Sequence, residues 1–314
     1  MALVNSVLGP IDTKDLGFTL MHEHMVVGFA DLYQDYSELL GDNPLERIVN
    51  ELKRTKAGGV DTIVDASTTD LGRDLNLITE ASRLSGVNII AVSGWWLEIP
   101  KFFQGASIEQ LTEVFVREVD EGIANTGVKA GILKAASDYG EMTAQAQKIL
   151  RAIGRAHLRT GVPIMLHSYS PGEVGRQQLA VLQEEGVNPA GIKLDHSNDT
   201  TNVEYLTWLL EQGCYLGLDR YPGRIPSPTA RTNTMKTLID AGWADRLCPS
   251  HDRSAINYVN TDWRKAEEER SVYNPHGYLY VKNVVFTQLR NMGVSEAILN
   301  NLCVTGPRNF FESA

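Results

Sequence analysis

The chain has 314 residues, of which 43% are hydrophobic and 22% are charged, and its formal net charge is -10. These proportions are typical of a soluble globular protein that buries a large core. The net negative charge argues against a general nucleic-acid-binding function, which normally needs a basic surface, but it does not exclude an anionic substrate held by local cations.

Cysteine usage and the apolar runs indicate the cellular compartment. Cys214, Cys248 and Cys303 are scattered and lack CxxC spacing, which is typical of reduced, structural thiols. The first 13 residues do not combine a basic segment with an apolar one, and no apolar run approaches the roughly 18 residues that span a bilayer. We therefore expect a cytoplasmic protein that binds neither membranes nor nucleic acids.

Eight apolar runs rich in β-branched residues alternate with amphipathic segments. The runs cover residues 17–24, 60–66, 88–94, 129–135, 162–167, 191–196, 215–219 and 246–250. The amphipathic segments include residues 44–57, 107–124, 144–159 and 203–212. This alternation predicts an α/β fold with a parallel sheet covered on both faces. Eight units favour a (β/α)8 TIM barrel formed by residues 1–314 as a single domain, rather than a doubly wound sheet, because no glycine-rich phosphate-binding loop follows the first run.

Two connections stand out between these units. Residues 221–231 are rich in proline and arginine, and residues 253–274 form a long segment after the eighth run. Loops longer than about 12 residues are usually functional or disordered. In a barrel, both connections would lie over the mouth and shape the substrate pocket.

A pair of histidines ends the first run. His22 and His24 are two positions apart, so on a β-strand their side chains lie on the same face. Two imidazoles side by side at the end of a strand are a common beginning of a metal site. Alone, the pair is equally compatible with buried or capping histidines.

Other potential metal ligands recur at the ends of later runs. The fourth run ends near Lys134, the fifth at His167, the sixth at His196, and Asp252 follows the eighth. Because barrel active sites lie at the carboxyl ends of the strands, we expect these side chains to converge. Four histidines and an aspartate suit divalent transition metals, and a set of this size indicates two ions rather than one.

Lys134 allows two interpretations. A protonated lysine beside metal cations would be repelled, so it could instead lie at the barrel rim or pair with Asp252. Alternatively, carbon dioxide could convert its amine into a carbamate, a carboxylate-like anion able to bridge two metals. Spacing alone does not decide between these alternatives.

Six motifs occur in an order that resembles a known family. They are His22-Glu23-His24, Lys129-Ala130-Gly131-Ile132-Leu133-Lys134, His167, Asp195-His196-Ser197-Asn198-Asp199-Thr200, Gly217-Leu218-Asp219-Arg220-Tyr221 and Ser250-His251-Asp252. This combination resembles the phosphotriesterase family of the amidohydrolase superfamily. The similarity runs from Gly9 to Arg308, nearly the whole chain.

The resemblance implies a binuclear metal hydrolase. One metal ion would be held by His22, His24 and Asp252, and the other by His167 and His196. Carboxylated Lys134 and a hydroxide would bridge the two ions, with zinc the first expectation and cobalt, manganese or iron as alternatives. Asp252 would also accept a proton from the attacking water. A homodimer is the assembly that the resemblance suggests.

Arg220 and Asp199 are further candidates for catalytic roles. The position of Arg220 resembles one that holds a proton-relaying histidine in phosphotriesterases acting on pesticides. Arginine does not release its proton at working pH, so an ion pair with Asp199 would orient rather than relay. Arginine at this position and the short 221–231 connection resemble the lactonase branch of the family.

Three residues are candidates for binding the substrate. Trp95 and Trp96 end the third run, where the family places an aromatic residue at the leaving-group pocket, and the resemblance favours Trp96. Tyr221 follows Arg220 in its motif. Arg253 departs from the apolar or aromatic residue that relatives commonly carry, and it is either a cation at the pocket edge or a solvated charge.

These observations predict an enzyme acting on a small-molecule substrate. The leading hypothesis is a binuclear metal-dependent hydrolase of lactones, such as acyl-homoserine lactones, with promiscuous phosphotriesterase activity. The alternatives are a true organophosphate triesterase and a hydrolase of an anionic or phosphorylated sugar lactone. A binding protein on an inactive barrel is the non-enzyme alternative.

Overall fold

The computed structural model describes residues 2–29, 32–139, 142–259 and 262–313. The strands of these residues are β1 Leu3–Ser6, β2 Gly9–Asp12, β3 Thr19–Val27, β4 Thr62–Asp65, β5 Asn88–Gly94, β6 Ile132–Ser137, β7 Ile164–Ser168, β8 Ile192–Leu194, β9 Tyr215–Leu218, β10 Leu247–Pro249 and β11 Ser254–Asn257. Each of the eight predicted runs overlaps one of the strands β3 to β10, and β3, β6 and β7 extend one to three residues beyond their runs.

The strands alternate with helices. The α-helices of the described residues are α1 Leu32–Asp35, α2 Pro44–Ala57, α3 Leu75–Ser85, α4 Ile108–Asp120, α5 Ala144–Thr160, α6 Gly175–Glu184, α7 Val203–Glu211, α8 Pro228–Asp240, α9 Trp263–Tyr273, α10 Phe286–Asn291, α11 Glu296–Asn300 and α12 Gly306–Glu312. Two π-helical turns, Val281–Val285 and Asn301–Thr305, precede α10 and α12. No helix in the described parts of the chain combines the length and the apolar character needed to cross a membrane.

Helix ends follow local sequence signals. Ser107 and Gln110 form a capping box at the start of α4, and the Thr143 side chain accepts a hydrogen bond from the backbone of α5. Gly86 and Gly161 end α3 and α5 in the left-handed conformation, which glycine adopts without steric cost. The two glycine caps end their helices shortly before β5 and β7 begin, and the two side-chain caps fix where α4 and α5 begin.

The strands form one continuous parallel sheet. Their order is β10-β9-β8-β7-β6-β5-β4-β3-β11, and every neighbouring pair is parallel. Since β10 and β11 are consecutive in the chain, the last barrel strand is split into two parts. The first part pairs with β9 and the second part pairs with β3, so the sheet closes on itself. The (β/α)8 barrel prediction is confirmed.

Two apolar layers hold the barrel. The outer layer packs strand side chains against the helices, and the inner layer fills the barrel below its carboxyl end. The inner layer contains Met21, Val64, Ile90, Val92, Ile132, Met165, Tyr215 and Cys248. This layer excludes water from the barrel centre, so the polar side chains at the carboxyl end of the barrel rest on an apolar layer.

An antiparallel hairpin of β1 and β2 was not predicted from the sequence. It lies against the amino-terminal end of the barrel, where the Asn5 side chain donates to the Ala130 carbonyl and the Val7 amide donates to the Ile89 carbonyl. Val4 packs into the inner apolar layer. The two strands have four residues each, which is too short for a periodic signal to stand out.

The two long connections contain regular structure that the sequence interpretation missed. Ser227 caps α8, so the helix begins inside the predicted 221–231 loop. The predicted 253–274 loop contains β11, which closes the barrel, and α9. The signal for β11 was weak because the strand has only four residues, and its first and last residues, Ser254 and Asn257, are polar.

Glu23 joins the two sides of the closing seam. Its carboxylate is fully buried and accepts hydrogen bonds from the Ser250 hydroxyl at 2.7 Å, the His251 amide at 3.0 Å and the Arg253 amide at 3.1 Å. His251 Nε2 accepts from the Val281 amide, so its Nδ1 carries the proton and donates to Glu23 at 2.5 Å. One side chain of β3 therefore fixes the backbone on both sides of Asp252.

Gly94 lets β5 approach β6 at the level of Lys134. Its φ of 140° lies in the region that side chains rarely adopt, and a Cβ at this position would overlap the carbonyl group of Lys134. The close approach is between two backbones, so no side-chain movement could relieve an overlap.

We predict that Gly94→Ala lowers the free energy of unfolding by about 3 kcal/mol, because it adds both overlap and backbone strain. Gly86→Ala is the matched control, since Gly86 also has a positive φ but faces open space. It should cost only about 1 kcal/mol. Urea unfolding of both variants measures the difference, and equal losses would contradict the argument from close approach.

We predict that Glu23→Gln lowers the free energy of unfolding by about 2 kcal/mol. The NH2 group of glutamine cannot accept a hydrogen bond, so one of the four groups that now donate to Glu23 would lose its acceptor. Glu80→Gln changes a carboxylate that pairs with Arg83 on the surface of α3, and its unfolding midpoint should not move. Urea unfolding of the two variants checks this. An unchanged midpoint for Glu23→Gln would show that the seam does not depend on this carboxylate.

Candidate metal centre

One cavity of about 380 Å³ opens at the carboxyl ends of the strands. All six residues predicted as metal ligands line it, namely His22, His24, Lys134, His167, His196 and Asp252. They come from β3, β6 and β7 and from the segments that follow β8 and β10. The structure thus brings together residues separated by up to 230 positions in the sequence.

His22, His24 and Asp252 form the first group of candidate ligands. The Nε2 atoms of His22 and His24 lie 3.4 and 3.2 Å from the same oxygen, Oδ1 of Asp252. Two ligand atoms of a tetrahedral metal ion at about 2.1 Å each lie roughly 3.4 Å apart. Each of the two separations is therefore that of a pair of ligand atoms on one small cation, with Asp252 Oδ1 common to both pairs.

The proton on His24 is assigned by its neighbours. The Ser67 hydroxyl donates its only hydrogen to the Val26 carbonyl at 2.8 Å, so it must accept from His24 Nδ1 at 2.9 Å. In the neutral imidazole, Nε2 then has a bare lone pair that faces the Asp252 carboxylate. Burial lowers the pKa of His24, which disfavours a second proton. A metal cation between the two groups relieves this contact.

His22 is held by two buried carboxylates. Its Nδ1 lies 3.0 Å from Oδ2 of Asp195 and 3.2 Å from Oδ2 of Asp219. Burial lowers the pKa of the imidazole, but the two carboxylates outweigh burial and raise it to about 10. Without a metal ion the ring therefore carries a proton on each nitrogen. The Nδ1 proton lies toward the carboxylates, and Nε2 is the atom that would release its proton to bind a metal ion.

His167 and His196 form the second group. His196 Nδ1 lies 2.9 Å from Oδ1 of Asp219, which places its proton there and leaves Nε2 bare. This Nε2 lies 2.8 Å from Nδ1 of His167, whose Nε2 in turn lies 3.4 Å from Asp138. Burial lowers the pKa of both imidazoles. Two neutral imidazole nitrogens that face each other fit a second cation.

Lys134 lies on the buried floor of the same cavity. Its side chain is only 1% exposed, and Nζ donates to the Ala66 carbonyl at 2.7 Å. Burial lowers the pKa of the amine, despite the opposing charges of Asp252, Asp195 and Asp70. A neutral amine is the form that reacts with carbon dioxide, so the environment fits the carbamate that the resemblance implies. The residues of the cavity as a set thus fit two divalent cations.

Two of the candidate ligands, His196 and Asp252, have a left-handed backbone conformation. His196 has a φ of 60° and Asp252 a φ of 51°, which are unusual for residues other than glycine. Both residues come directly after barrel strands, where the chain must turn across the mouth. Strain of this kind persists only where the surroundings hold it in place, and it concentrates at functional sites.

Arg220 and Asp199 lie beside the second carboxylate oxygen of Asp252. Arg220 Nε donates to Asp252 Oδ2 at 3.0 Å, and its Nη1 donates to Asp199 Oδ2 at 2.5 Å. Asp199 also pairs with Arg231, at 2.8 Å. Burial lowers the pKa of Arg220, but the carboxylates raise it above the usual range of arginine. Arg220 is therefore a fixed, permanently charged donor.

The three predicted substrate-binding residues occupy two different cavities. Trp96 lines the metal cavity, where its Nε1 approaches His167 Nδ1 at 3.5 Å, whereas Trp95 is buried against Phe103 and Phe115. Tyr221 and Arg253 line an adjoining cavity instead.

Several residues that support the ligands were missed as site residues. Lys193 and Asp195 are fully buried and form a close ion pair beneath His22, and Ser67 fixes His24. The pattern Lys193-Leu194-Asp195 holds a detectable signal, because a lysine two residues from an aspartate on an apolar strand needs a partner on the same face. Ser67 and Asp138 offer no comparable pattern.

The chain is similar to proteins of one family over nearly its whole length. A sequence model of the phosphotriesterase family matches residues 2–311. A Mycobacterium tuberculosis protein named phosphotriesterase homology protein is 37% identical over 99% of this chain and 98% of its own length. The aryldialkylphosphatase of Saccharolobus solfataricus is 34% identical over 96% of each chain.

A solved structure agrees with this similarity. The phosphotriesterase from Mycobacterium tuberculosis superimposes with a TM-score of 0.91 at 36% identity and covers 99% of this chain and 98% of its own. Family similarity and the candidate ligand groups together identify a metal-dependent hydrolase. We conclude that the chain belongs to the phosphotriesterase family.

Proposed function

We propose that this protein hydrolyses lactones, acyl-homoserine lactones among them, and cleaves phosphotriesters more slowly. Catalysis would use two divalent metal ions, with zinc the first expectation. One ion would be held by His22, His24 and Asp252, and the other by His167 and His196. Lys134, as its carbamate, would serve both.

When bound, two divalent cations would lower the pKa of a water molecule and polarise the substrate oxygen. The chain's own contribution centres on Asp252. Burial opposes ionisation of this carboxyl, but its contacts with the His196, His22 and His24 imidazoles outweigh burial and hold its pKa well below the usual range, so it is ionised and able to accept a proton from water. Arg220 holds the second oxygen of this carboxylate in place.

The observation that carries the choice of lactones is the fixed charge of Arg220. A lactone opens to an alkoxide that stays attached to the product and needs a proton. Asp252 can return to this alkoxide the proton that it took from water, and one further proton leaves to solvent as the new carboxylic acid ionises. An aryl phosphotriester releases a stable phenolate instead, and the proton on Asp252 must then reach solvent as well. Arg220 and Asp199 offer no relay for it, because arginine keeps its proton.

The wall of the metal cavity also suits an amphiphilic lactone. Besides the polar ligands, the cavity is lined by the apolar side chains of Val27, Phe29, Leu71, Trp96 and Val259. Phe29 and Val259 are exposed at the mouth, at 56% and 42% of their surface. A substrate with an acyl chain would cover these side chains while its ring lies on the polar floor.

A true organophosphate triesterase is the second candidate. The name of the Saccharolobus solfataricus relative favours it, and both reactions would use the same ligands. An inactive binding protein is disfavoured because all six positions of the predicted ligand set hold residues that could bind a metal ion. The homodimer and the cytoplasmic location stay predictions.

We expect metal-loaded protein to hydrolyse acyl-homoserine lactones and other γ- and δ-lactones with a kcat/KM about 100-fold above that for paraoxon, because only the lactone reuses the proton on Asp252. Asp252→Asn should lower the kcat for lactones by about 100-fold or more. The matched control, Asp240→Asn, changes a surface carboxylate of α8 and should leave kcat unchanged. Absence of turnover for every lactone would remove this proposal, and a preference for paraoxon would favour the triesterase.

We expect wild-type protein to hold about two metal ions per chain and Lys134→Met to hold about one or fewer, since the variant lacks an anion to serve both ions. Elemental analysis measures the metal content. Protein prepared with isotopically labelled bicarbonate should show a carbamate carbon signal by NMR in the wild type and in the surface control Lys101→Met, but not in Lys134→Met. Two bound ions without a carbamate signal in the wild type would refute the modification of Lys134.

A further inference from the structure

A second cavity of about 290 Å³ adjoins the metal cavity. The two cavities share the residues Arg220, Asp252, Ser254 and Asn257 as a common wall. A small substrate with its scissile bond over the metal ligands could therefore extend a substituent past Asp252 into this second space. The chemistry of the second cavity determines which substituent it would accept.

Two arginines from different elements line this second cavity. Arg253 follows Asp252, and its backbone is fixed because its amide donates to Glu23 and its carbonyl accepts from the His24 amide at 2.8 Å. Arg270 comes from α9 and lines the same cavity. Both side chains are half-buried, and the Arg253 guanidinium lies 5.8 Å from the centre of the Tyr278 ring.

Both guanidinium groups have unused hydrogen-bonding capacity. Arg253 Nε and Arg270 Nη2 are buried and have no hydrogen-bond partner. Among the described residues, neither side chain forms an ion pair with a carboxylate. Arg220, in contrast, is neutralised by Asp252 and Asp199. The acidic residue that acts most clearly on Arg270 is Glu267, and its carboxylate pairs with Arg47 at 2.5 Å.

The electrostatic arrangement is unfavourable without an anion. Burial lowers the pKa of Arg270, and the positive charge of Arg253 lowers it further. Two like charges are thus held together in a partly desolvated space, in a chain whose net charge is -10. His251 also lines the cavity, but both of its ring nitrogens are occupied, by Glu23 and by the Val281 amide. The cationic donors left for a ligand among the described lining residues are therefore Arg253 and Arg270.

We propose that Arg253 and Arg270 form a subsite for an anionic group, a carboxylate or a phosphate, carried by the substrate whose ester bond lies in the metal cavity. The identity of that ester as a lactone rests on the proposed function. Guanidinium groups match the two oxygens of a carboxylate or a phosphate with parallel hydrogen bonds. The unpartnered amide oxygen of Asn274 on the same wall could accept a hydrogen bond from a substrate hydroxyl.

The subsite selects among substrates rather than taking part in the chemistry. Arg253 and Arg270 are not paired with Asp252, so they act on the substituent and not on the proton that Asp252 moves. A neutral lactone would leave both guanidinium groups without a partner, whereas an anionic one would complete their hydrogen bonds. The preference should therefore appear as a ratio of kcat/KM values for matched substrates.

The test compares three γ-lactones that differ only in one substituent, which is a neutral hydroxymethyl, a carboxylate or a phosphate group. With wild-type metal-loaded protein, we expect kcat/KM to be higher for one or both anionic lactones than for the neutral lactone. Arg270→Met should lower this anionic-to-neutral ratio by about 10- to 100-fold, and Arg270→Lys by less, because lysine keeps the charge but loses the paired donors. The substituent with the larger effect identifies the anion.

Arg264→Met is the matched control, because it removes the same charge from the same helix at an exposed position that does not line the cavity. Its ratio should equal that of the wild type. An equal ratio in wild-type protein and Arg270→Met, with turnover of the neutral lactone, would overturn the subsite and leave the lactonase proposal intact.

A binding measurement separates the two proposals. If no lactone is hydrolysed, calorimetric titration of metal-loaded protein with glycerol phosphate and with succinate still tests the anion site. Binding to wild type and to Arg264→Met that weakens about 10-fold or more in Arg270→Met would support it. Binding that does not change in Arg270→Met would place the anion on the metal ions and refute the subsite.

Discussion

The site depends on where the protons of two histidines are held. Ser67 directs the proton of His24, and buried carboxylates direct that of His22, away from the cavity. The Nε2 atoms of both imidazoles consequently face one oxygen of Asp252, so these three atoms are the ones that a cation between them would engage. The surrounding polar groups therefore prepare metal binding before any metal arrives, and they explain why so many charged groups are buried in one place.

The barrel supplies this arrangement through its closing seam. The eighth strand is interrupted where Asp252 turns into the mouth, and Glu23 bonds to the backbone on either side of the interruption. The apolar layer below leaves no water to compete for the carboxylates. The ligand geometry therefore depends on the closure of the barrel. Glu23 lies between His22 and His24 in the chain, and it also holds the segment that carries Asp252.

The barrel and the candidate ligands could be predicted from the sequence because both depend on periodic or local patterns. Apolar runs locate the strands, and His22 and His24 share a face by the period of a β-strand. Contacts between distant segments leave no such pattern, so Ser67 and the hairpin before the barrel were missed. Arg270 was not predicted as a site residue, although it projects from α9 into the cavity beside Asp252. A helix with mixed charges does not reveal which of its faces is covered.

The break in the closing strand has a consequence for how such a protein can diversify. Asp252 and Arg253 are adjacent in the chain, yet one lines the metal cavity and the other lines the neighbouring cavity. The main chain of Arg253 is fixed by the Glu23 carboxylate and the His24 amide, and its side chain takes no part in these bonds, so the side chain can be exchanged while Asp252 keeps its position. With the roles proposed above, substrate selectivity and reactivity would be set by neighbouring residues independently, and a lineage could acquire a new substrate without rebuilding its catalytic residues.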